Sequence, residues 1–326
     1  MKRRDALSGL VACCAAPMVS VAQQPDKVWR IGVLGALSEA ESHAYPTLLR
    51  KMLYATGSTQ GWQVTFEERS ADGRNERLAG LAAELVQLKV DMIVAISTNA
   101  ASAAMKATAT IPIVFVGAAD PVGAGFSDSL ARPSRNLTGV SNVVGDLGPK
   151  RLELVKLAAP HLARVALLSN PGNPYYASAV PRFRAVAEAI GVHVVAVDWT
   201  GVDDINTVIS RASQEGAQAL LVGGDIYHFG QRKQISNAAI KHRMPAIAPF
   251  REYVEAGLLM SYGTDDVEQF RQVAVYVHKI ISGAKPIDLP IEQPTKFELV
   301  LNSRTAKALD LTIPAELLLR ANEVLQ

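Results

Sequence analysis

Apolar residues along this chain come in short dense runs. Longer stretches separate the runs, and in these the apolar residues recur every three or four positions. The runs fall at 30–34, 64–67, 91–96, 111–116, 165–168, 192–197, 219–222, 246–248 and 258–261. They are β-branched and apolar at successive positions, the pattern of parallel strands covered on both faces. Between them the spacing predicts helices over 42–56, 75–88, 99–108, 148–158, 175–190, 203–214, 230–242 and 265–282. In 75–88, Leu78, Leu81, Ala82, Leu85 and Leu88 fall on one helical face with charges elsewhere. Strands that alternate with helices predict doubly wound α/β sheets. The strand–helix unit recurs without any repeat of sequence.

The pattern is interrupted near 136–146. An extended piece, Asn136-Leu137-Thr138-Gly139-Val140, follows a Pro/Ser loop, and Gly145-Asp146-Leu147-Gly148-Pro149 opens a new helix. Four strands precede this break and five follow it. The helix over 265–282 stops at Ser282-Gly283-Ala284-Lys285-Pro286. A Pro-punctuated segment then leads to a strand at 297–301 and helical pieces at 303–309 and 314–325.

The first 22 residues follow another pattern. Lys2, Arg3 and Arg4 precede an apolar stretch, and Ser20-Val21-Ala22 places small residues ahead of Gln23. This is the layout of a secretory signal peptide. The run is shorter than the ~20 apolar residues of a membrane span, and Pro17 breaks it. Leu10-Val11-Ala12-Cys13 resembles a lipobox, which would leave a lipid on Cys13, and Arg3-Arg4 faintly resembles a twin-arginine signal. Either route predicts a periplasmic protein. Cys13 and Cys14 are the only cysteines, so a chain cleaved after Ala22 has no thiol for an oxidising compartment to attack.

Composition narrows the picture. The chain has 326 residues, 49% hydrophobic and 20% charged, enough for two domain-sized cores. Its 33 basic and 31 acidic residues give a net of +2, and loss of Lys2, Arg3, Arg4 and Asp5 with the leader brings this to zero. Neither a nucleic-acid partner nor a strongly charged one is indicated.

In open parallel sheets ligands sit beyond the carboxyl ends of strands, near helix N-termini. The residues at those places are the candidates for binding. Ser38 follows the first run, and Ser97, Thr98 and Asn99 follow the third. The hydroxyls and the amide of the latter three open a helix and suit a carboxylate or another anion. Asp120 follows the fourth run, before Pro121. Asn173 and Tyr175 lie in a turn-rich loop of the second half, and Asp225 and Tyr227 come after the next strand. Arg251 and Tyr262 follow the last two. Tyr175, Tyr176, Tyr227, Tyr253 and Tyr262 all come after strands of the second half, which suggests an aromatic-lined cleft. There is no GxSxG, P-loop, HExxH or ordered GxGxxG, and the six histidines lack metal-ligand spacing. No cofactor is expected.

Together these stretches resemble a known family. IPIVFVGAADPVGAG (111–125), NLTGVSN (136–142), NPGNP (170–174), EAGLLMSYG (255–263) and the tail over 289–314 are similar to the substrate-binding proteins of ABC transporters, in the group that includes tryptophan- and phenylalanine-binding members. The resemblance implies the type I periplasmic binding protein fold, two Rossmann-like lobes joined by three crossovers. The lobes would comprise 28–139 plus 264–290 and 140–263 plus 291–326. It further implies a ligand held as the lobes close, hinges near 136–140, 262–265 and 287–290, a monomer, and docking on an inner-membrane ABC permease. By position, Ser97, Thr98 and Asn99 match the family's carboxylate-binding loop, Asn173 its second-lobe loop and Asp225 its acidic position. Where amino-acid-binding relatives carry an acidic loop, this chain has Phe250-Arg251-Glu252. A cation there predicts an organic acid or aromatic carboxylate, with Arg251 as its charge partner; the alternative is that Arg251 opens a helix and faces solvent. An exported enzyme with Asp120 and Asp225 as its acids is a competing reading, as is a ligand sensor for a membrane receptor. A LacI-type regulator would begin with a helix-turn-helix, and this chain begins with a leader.

Overall fold

The computed structural model describes residues 27–36, 44–59, 61–173 and 175–326, except for the side chain of Ser178. The leader, Cys13 and Ser38 lie outside the described residues. Two sheets form the frame. The first has the order β2-β1-β3-β4-β5, built from β1 (Val28–Gly35), β2 (Gln63–Ser70), β3 (Met92–Ile96), β4 (Ile113–Ala118) and β5 (Leu137–Ser141). All its neighbours are parallel. β5 is the extended piece at the break in the pattern, and Ser141 still pairs with Ala118 of β4.

The second sheet has the order β12-β11-β10-β9-β8-β6-β7. Its strands are β6 (Arg164–Ser169), β7 (His193–Asp198), β8 (Ala219–Val222), β9 (Ala246–Ala248), β10 (Met260–Thr264), β11 (Phe297–Asn302) and β12 (Glu323–Leu325). β11 runs antiparallel to β10; the rest of the sheet is parallel within that arrangement.

The dense apolar runs make the strands because both faces of each sheet are covered. Ile31, Val33, Met92, Val94 and Ile96 enter one core while Leu34, Ile93 and Ala95 enter the opposite one. Val165 and Leu167 oppose Ala166 and Leu168 in the same way. This is the two-residue alternation of a pleated strand.

The helices α1 (Ala44–Ala55), α2 (Leu78–Gln87) and α3 (Thr98–Ala107) accompany the first sheet. The second is flanked by α4 (Gly148–Ala158), α5 (Tyr176–Ala189), α6 (Ile205–Gln214), α7 (Ile226–Gly230), α8 (Arg232–Lys241) and α9 (Arg251–Glu255). The helix α10 (Asp266–Ile281) follows β10 of the second sheet, yet Phe270, Val273 and Tyr276 are buried in the core of the first. The chain therefore passes between sheets after β5, between β10 and α10, and before β11.

The tail departs from its predicted helix over 314–325. α11 (Ser303–Ala308) is followed by α12 (Ala315–Arg320), and the remaining residues are β12. Asn322 explains the switch. Its carboxamide oxygen accepts from Leu299 N at 2.8 Å, and its own N donates to the Leu299 carbonyl at 2.8 Å. Tertiary pairing overrides a local helical pattern there. Among the described residues no helix is long and apolar enough to cross a membrane.

Candidate functional site

Each sheet has a point where strand order reverses, between β1 and β3 in the first and between β6 and β8 in the second. Crevices open at such points, and a cavity of about 50 Å³ lies where loops from both meet. The first lobe contributes Ser97, Thr98 and Gly117, and the second contributes Asn173, Gly224, Asp225 and Phe250. Tyr45, Asp266, Gln269 and Phe270 complete the wall. The lobes touch around it: Ile226 packs on cores of both, and so does Tyr45.

Ser97 ends β3 and caps α3. Its φ of 101° and ψ of 164° lie in a region that glycine alone enters readily. Its hydroxyl accepts from Ala100 N at 3.4 Å. Thr98 Oγ1 accepts from Ala119 N at 3.3 Å, which joins α3 to the loop after β4. Asn99 is buried beside them, and its side-chain nitrogen has no partner. Gly117, at φ 76°, lies at the register shift between Val116 and Ala118, and its carbonyl accepts from Asn142 Nδ2 at 2.9 Å.

Across the cavity, Asp225 is 2% exposed. Its Oδ1 accepts from Asn170 Nδ2 at 3.0 Å and from the N–H groups of Tyr227 and His228 at 3.0 and 3.2 Å. Among the described residues its Oδ2 accepts from Asn173 Nδ2 alone, at 2.8 Å. An ionised carboxylate has about four acceptor sites, so Oδ2 retains capacity for one more donor.

Asp266 is the second acid. Burial, then the charge of Glu252, pushes its carboxyl up to about 7, while the Tyr45 hydroxyl donates to it at 3.2 Å and opposes the rise. Gln269 donates to Thr264 Oγ1 at 2.8 Å and to Asp266 at 3.2 Å, leaving its buried oxygen without a partner. Tyr45 stacks on Phe270 with ring centroids 5.4 Å apart. Beyond Tyr45 and Asp266 a groove of about 410 Å³ continues past Leu48, Phe229, Arg232, Arg251 and Glu252.

Of the sequence candidates, Ser97, Thr98, Asn173 and Asp225 therefore line one cavity, with Asn99 beside it. The others lie elsewhere. Asp120 accepts from Gly123 N at 2.8 Å and from Arg182 Nη2 at 3.2 Å, a turn cap and an ion pair between lobes. Tyr175 is buried in a separate cavity of the second lobe. Tyr227 packs against Trp199, with centroids 5.5 Å apart. Tyr262 faces Phe297, also away from the cavity. Arg251 is the first residue of α9 and pairs with Glu323, Glu255 and Glu298 at 2.7, 3.2 and 3.5 Å. It lines the outer groove with three carboxylates around it, so the expectation of a cation free to receive a ligand carboxylate does not hold.

Tyr45, Asn142, Asp266, Gln269 and Phe270 escaped the sequence reading. Asp266 alone carried a signal, as the second acid of a pair that follows a strand. Among the described residues no group of three or more His, Cys, Asp or Glu is placed to hold a metal.

Residues 30–325 match the family model for ABC transporter substrate binding proteins. The chain belongs to this family. Such proteins act outside the cytoplasm and deliver small ligands to an ABC permease. This substrate-binding protein is 27% identical to a tyrosine-binding protein of Clostridioides difficile over 80% of its own length and 75% of that relative. It shares its fold with an ABC domain from Streptococcus pneumoniae in complex with L-Trp, at 24% identity and a TM-score of 0.82, covering 90% and 100% of the two chains. Against the ligand-free, open structure of a Clostridium difficile substrate-binding protein with adhesive properties, the identity is 26% and the TM-score 0.65, covering 91% and 99%.

Proposed function

We propose that this substrate-binding protein captures an aromatic α-amino acid between its lobes in the periplasm and passes it to an inner-membrane ABC permease. One observation carries the reading: an anion-binding helix start faces two carboxylates across a single cavity. The hydroxyls of Ser97 and Thr98, with the N–H groups of the first turn of α3, suit the ligand carboxylate. The spare capacity of Asp225 Oδ2, with the unpartnered oxygen of Gln269 and the carboxylate of Asp266, suits its ammonium. The inner cavity has the size for the amino-acid head, and the side chain would extend past Tyr45 and Phe270 into the outer groove. The relatives that bind tyrosine and L-Trp support the same ligand class.

Asp225 is the residue on which the ammonium contact chiefly rests. It is held by four donors, so its position is set before ligand arrives. The lobes are those delimited above, 28–139 plus 264–290 and 140–263 plus 291–326, and the chain acts as a monomer.

Isothermal titration of the leaderless protein tests the reading. L-Tyrosine or L-tryptophan should bind, while tyramine and 4-hydroxyphenylpropionate should bind at least ~100-fold more weakly, since each leaves one buried charged cluster unpaired. Equal affinity for 4-hydroxyphenylpropionate would replace the amino acid with an organic acid as ligand.

A further inference from the structure

A second cavity, of about 230 Å³, lies wholly on the side of the second sheet, between α4, α5 and the ends of β6 and β8. It shares only Gly224 with the interlobe cavity. Arg151 of α4 lines it. This arginine is 2% exposed and forms no ion pair among the described residues. Its Nη1 donates to the Tyr262 carbonyl at 3.2 Å and its Nη2 to the Val144 carbonyl, while its buried Nε–H has no partner. The hydroxyl of Tyr176, which lines the same cavity, is also buried without a partner. Burial pushes the Arg151 guanidinium down to about 10, so it stays a cation at neutral pH.

Two glycines make room for the polar end. A Cβ at Gly145 would lie 2.2 Å from the Tyr175 hydroxyl, and one at Gly223 would lie 2.0 Å from the Tyr176 hydroxyl. The opposite wall is apolar, with Leu167, Val180, Phe183 and Leu221. Asp146 and Arg182 also line the cavity, and Arg182 is already paired with Asp120 at 3.2 Å. A buried cation without a counter-ion carries a desolvation cost that a carboxylate would offset. A polar end with two unused donors and an apolar body together define an amphiphilic anion.

We propose that this cavity is a second ligand site, which takes a small monocarboxylate with its carboxylate on Arg151 and Tyr176 and its apolar body on Phe183 and Leu221. The proposal does not depend on the amino-acid reading of the interlobe site.

Calorimetry of the leaderless chain with benzoate as the probe tests it. Benzoate should bind with a Kd below about 1 mM, and uncharged benzamide at least about tenfold more weakly. Ala179→Leu, which fills the cavity without touching a charge, and Arg151→Met should each weaken benzoate at least about tenfold. Ala179→Leu should leave the interlobe ligand unaffected. Absence of benzoate binding, equal binding of benzamide, or benzoate affinity unchanged in a folded Ala179→Leu protein would overturn the proposal. Because Ala179 lines this cavity and neither the interlobe cavity nor the outer groove, a failure here is separable from a failure to bind amino acids.

Discussion

Ser97 holds backbone angles that cost a residue with a Cβ roughly 1–3 kcal/mol, and it holds them at the mouth of the cavity. The conformation sits where β3 gives way to α3, whose first residues line the cavity. Glycine in its place should relieve that strain while losing only a few tenths of a kcal/mol of capping. Ser97→Gly is therefore expected to be more stable than the parent by about 1 kcal/mol, whereas Ser97→Ala, which keeps the strain and loses the cap, should be less stable by about 1 kcal/mol. Both should bind ligand more weakly. Urea unfolding of the two variants checks this, and a destabilised Ser97→Gly would show that the conformation is relaxed.

Asp266 gives a pH dependence. Its folded carboxyl titrates near 7, above the ordinary value of about 3.9 for an unfolded chain. The folded state then holds the proton more tightly than the unfolded state between those values. This contribution to stability is present in full below about pH 4 and is lost as pH rises through 7. Asp266→Asn should abolish that slope and gain on the order of a few kcal/mol at pH 8 relative to the parent. Unfolding curves from pH 5 to 8 read the difference; identical slopes in the two proteins would exclude Asp266 as its origin.

Four of the fifteen residues that line the candidate site were legible residue by residue. Ser97, Thr98, Asn173 and Asp225 come directly after strands, where parallel sheets place their ligands, and a linear reading finds them. Tyr45 and Phe270 lie within amphipathic helices, where an aromatic looks like any core residue. The run of tyrosines after strands of the second half misled for a related reason. Tyr262 packs on Phe297 and Tyr253 is fully buried, so local position alone did not tell cleft from core.

At the scale of elements, the strands declared themselves wherever both faces are buried. All five residues of β3 and all four of β8 are buried, so an unbroken apolar run was enough. The edge strand β12 is three residues long with an exposed start, and its identity rests on pairing with β11 rather than on its own pattern. The five-residue helices α7 and α9 are too short for periodicity to reveal.

α10 has the largest effect on the assembly, since it follows a strand of one sheet and fills the core of the other. Tyr276 fastens its far end. The hydroxyl lies 2.5 Å from the Pro290 carbonyl and 2.9 Å from a carboxylate oxygen of Glu292, in the segment that leads back to β11. Thr138 of β5 donates to the Leu289 carbonyl at 2.8 Å alongside it. Tyr276→Phe should lower stability by about 1 kcal/mol, measured by chemical denaturation. No loss would mean that Thr138 and the surrounding packing hold this crossing unaided.

For the whole molecule, the relation between the lobes is the functional variable. Here the lobes meet around a cavity of only about 50 Å³. The arrangement is a closed one, and a ligand must enter from a more open state. Closure is favoured by whatever touches both lobes, in proportion to its preference for the closed form. The Asp120–Arg182 pair crosses the cleft but is half exposed and contributes little by itself. On the function proposed above, the ligand supplies the bias, through the start of α3 on one side and Asp225 on the other. Small-angle X-ray scattering of the leaderless protein, with and without saturating L-tyrosine or L-tryptophan, reads this directly. A radius of gyration that falls on binding, and fails to fall when Asp225→Asn is titrated in the same way, is the result expected. Calorimetrically confirmed binding with no change in scattering would contradict capture between closing lobes.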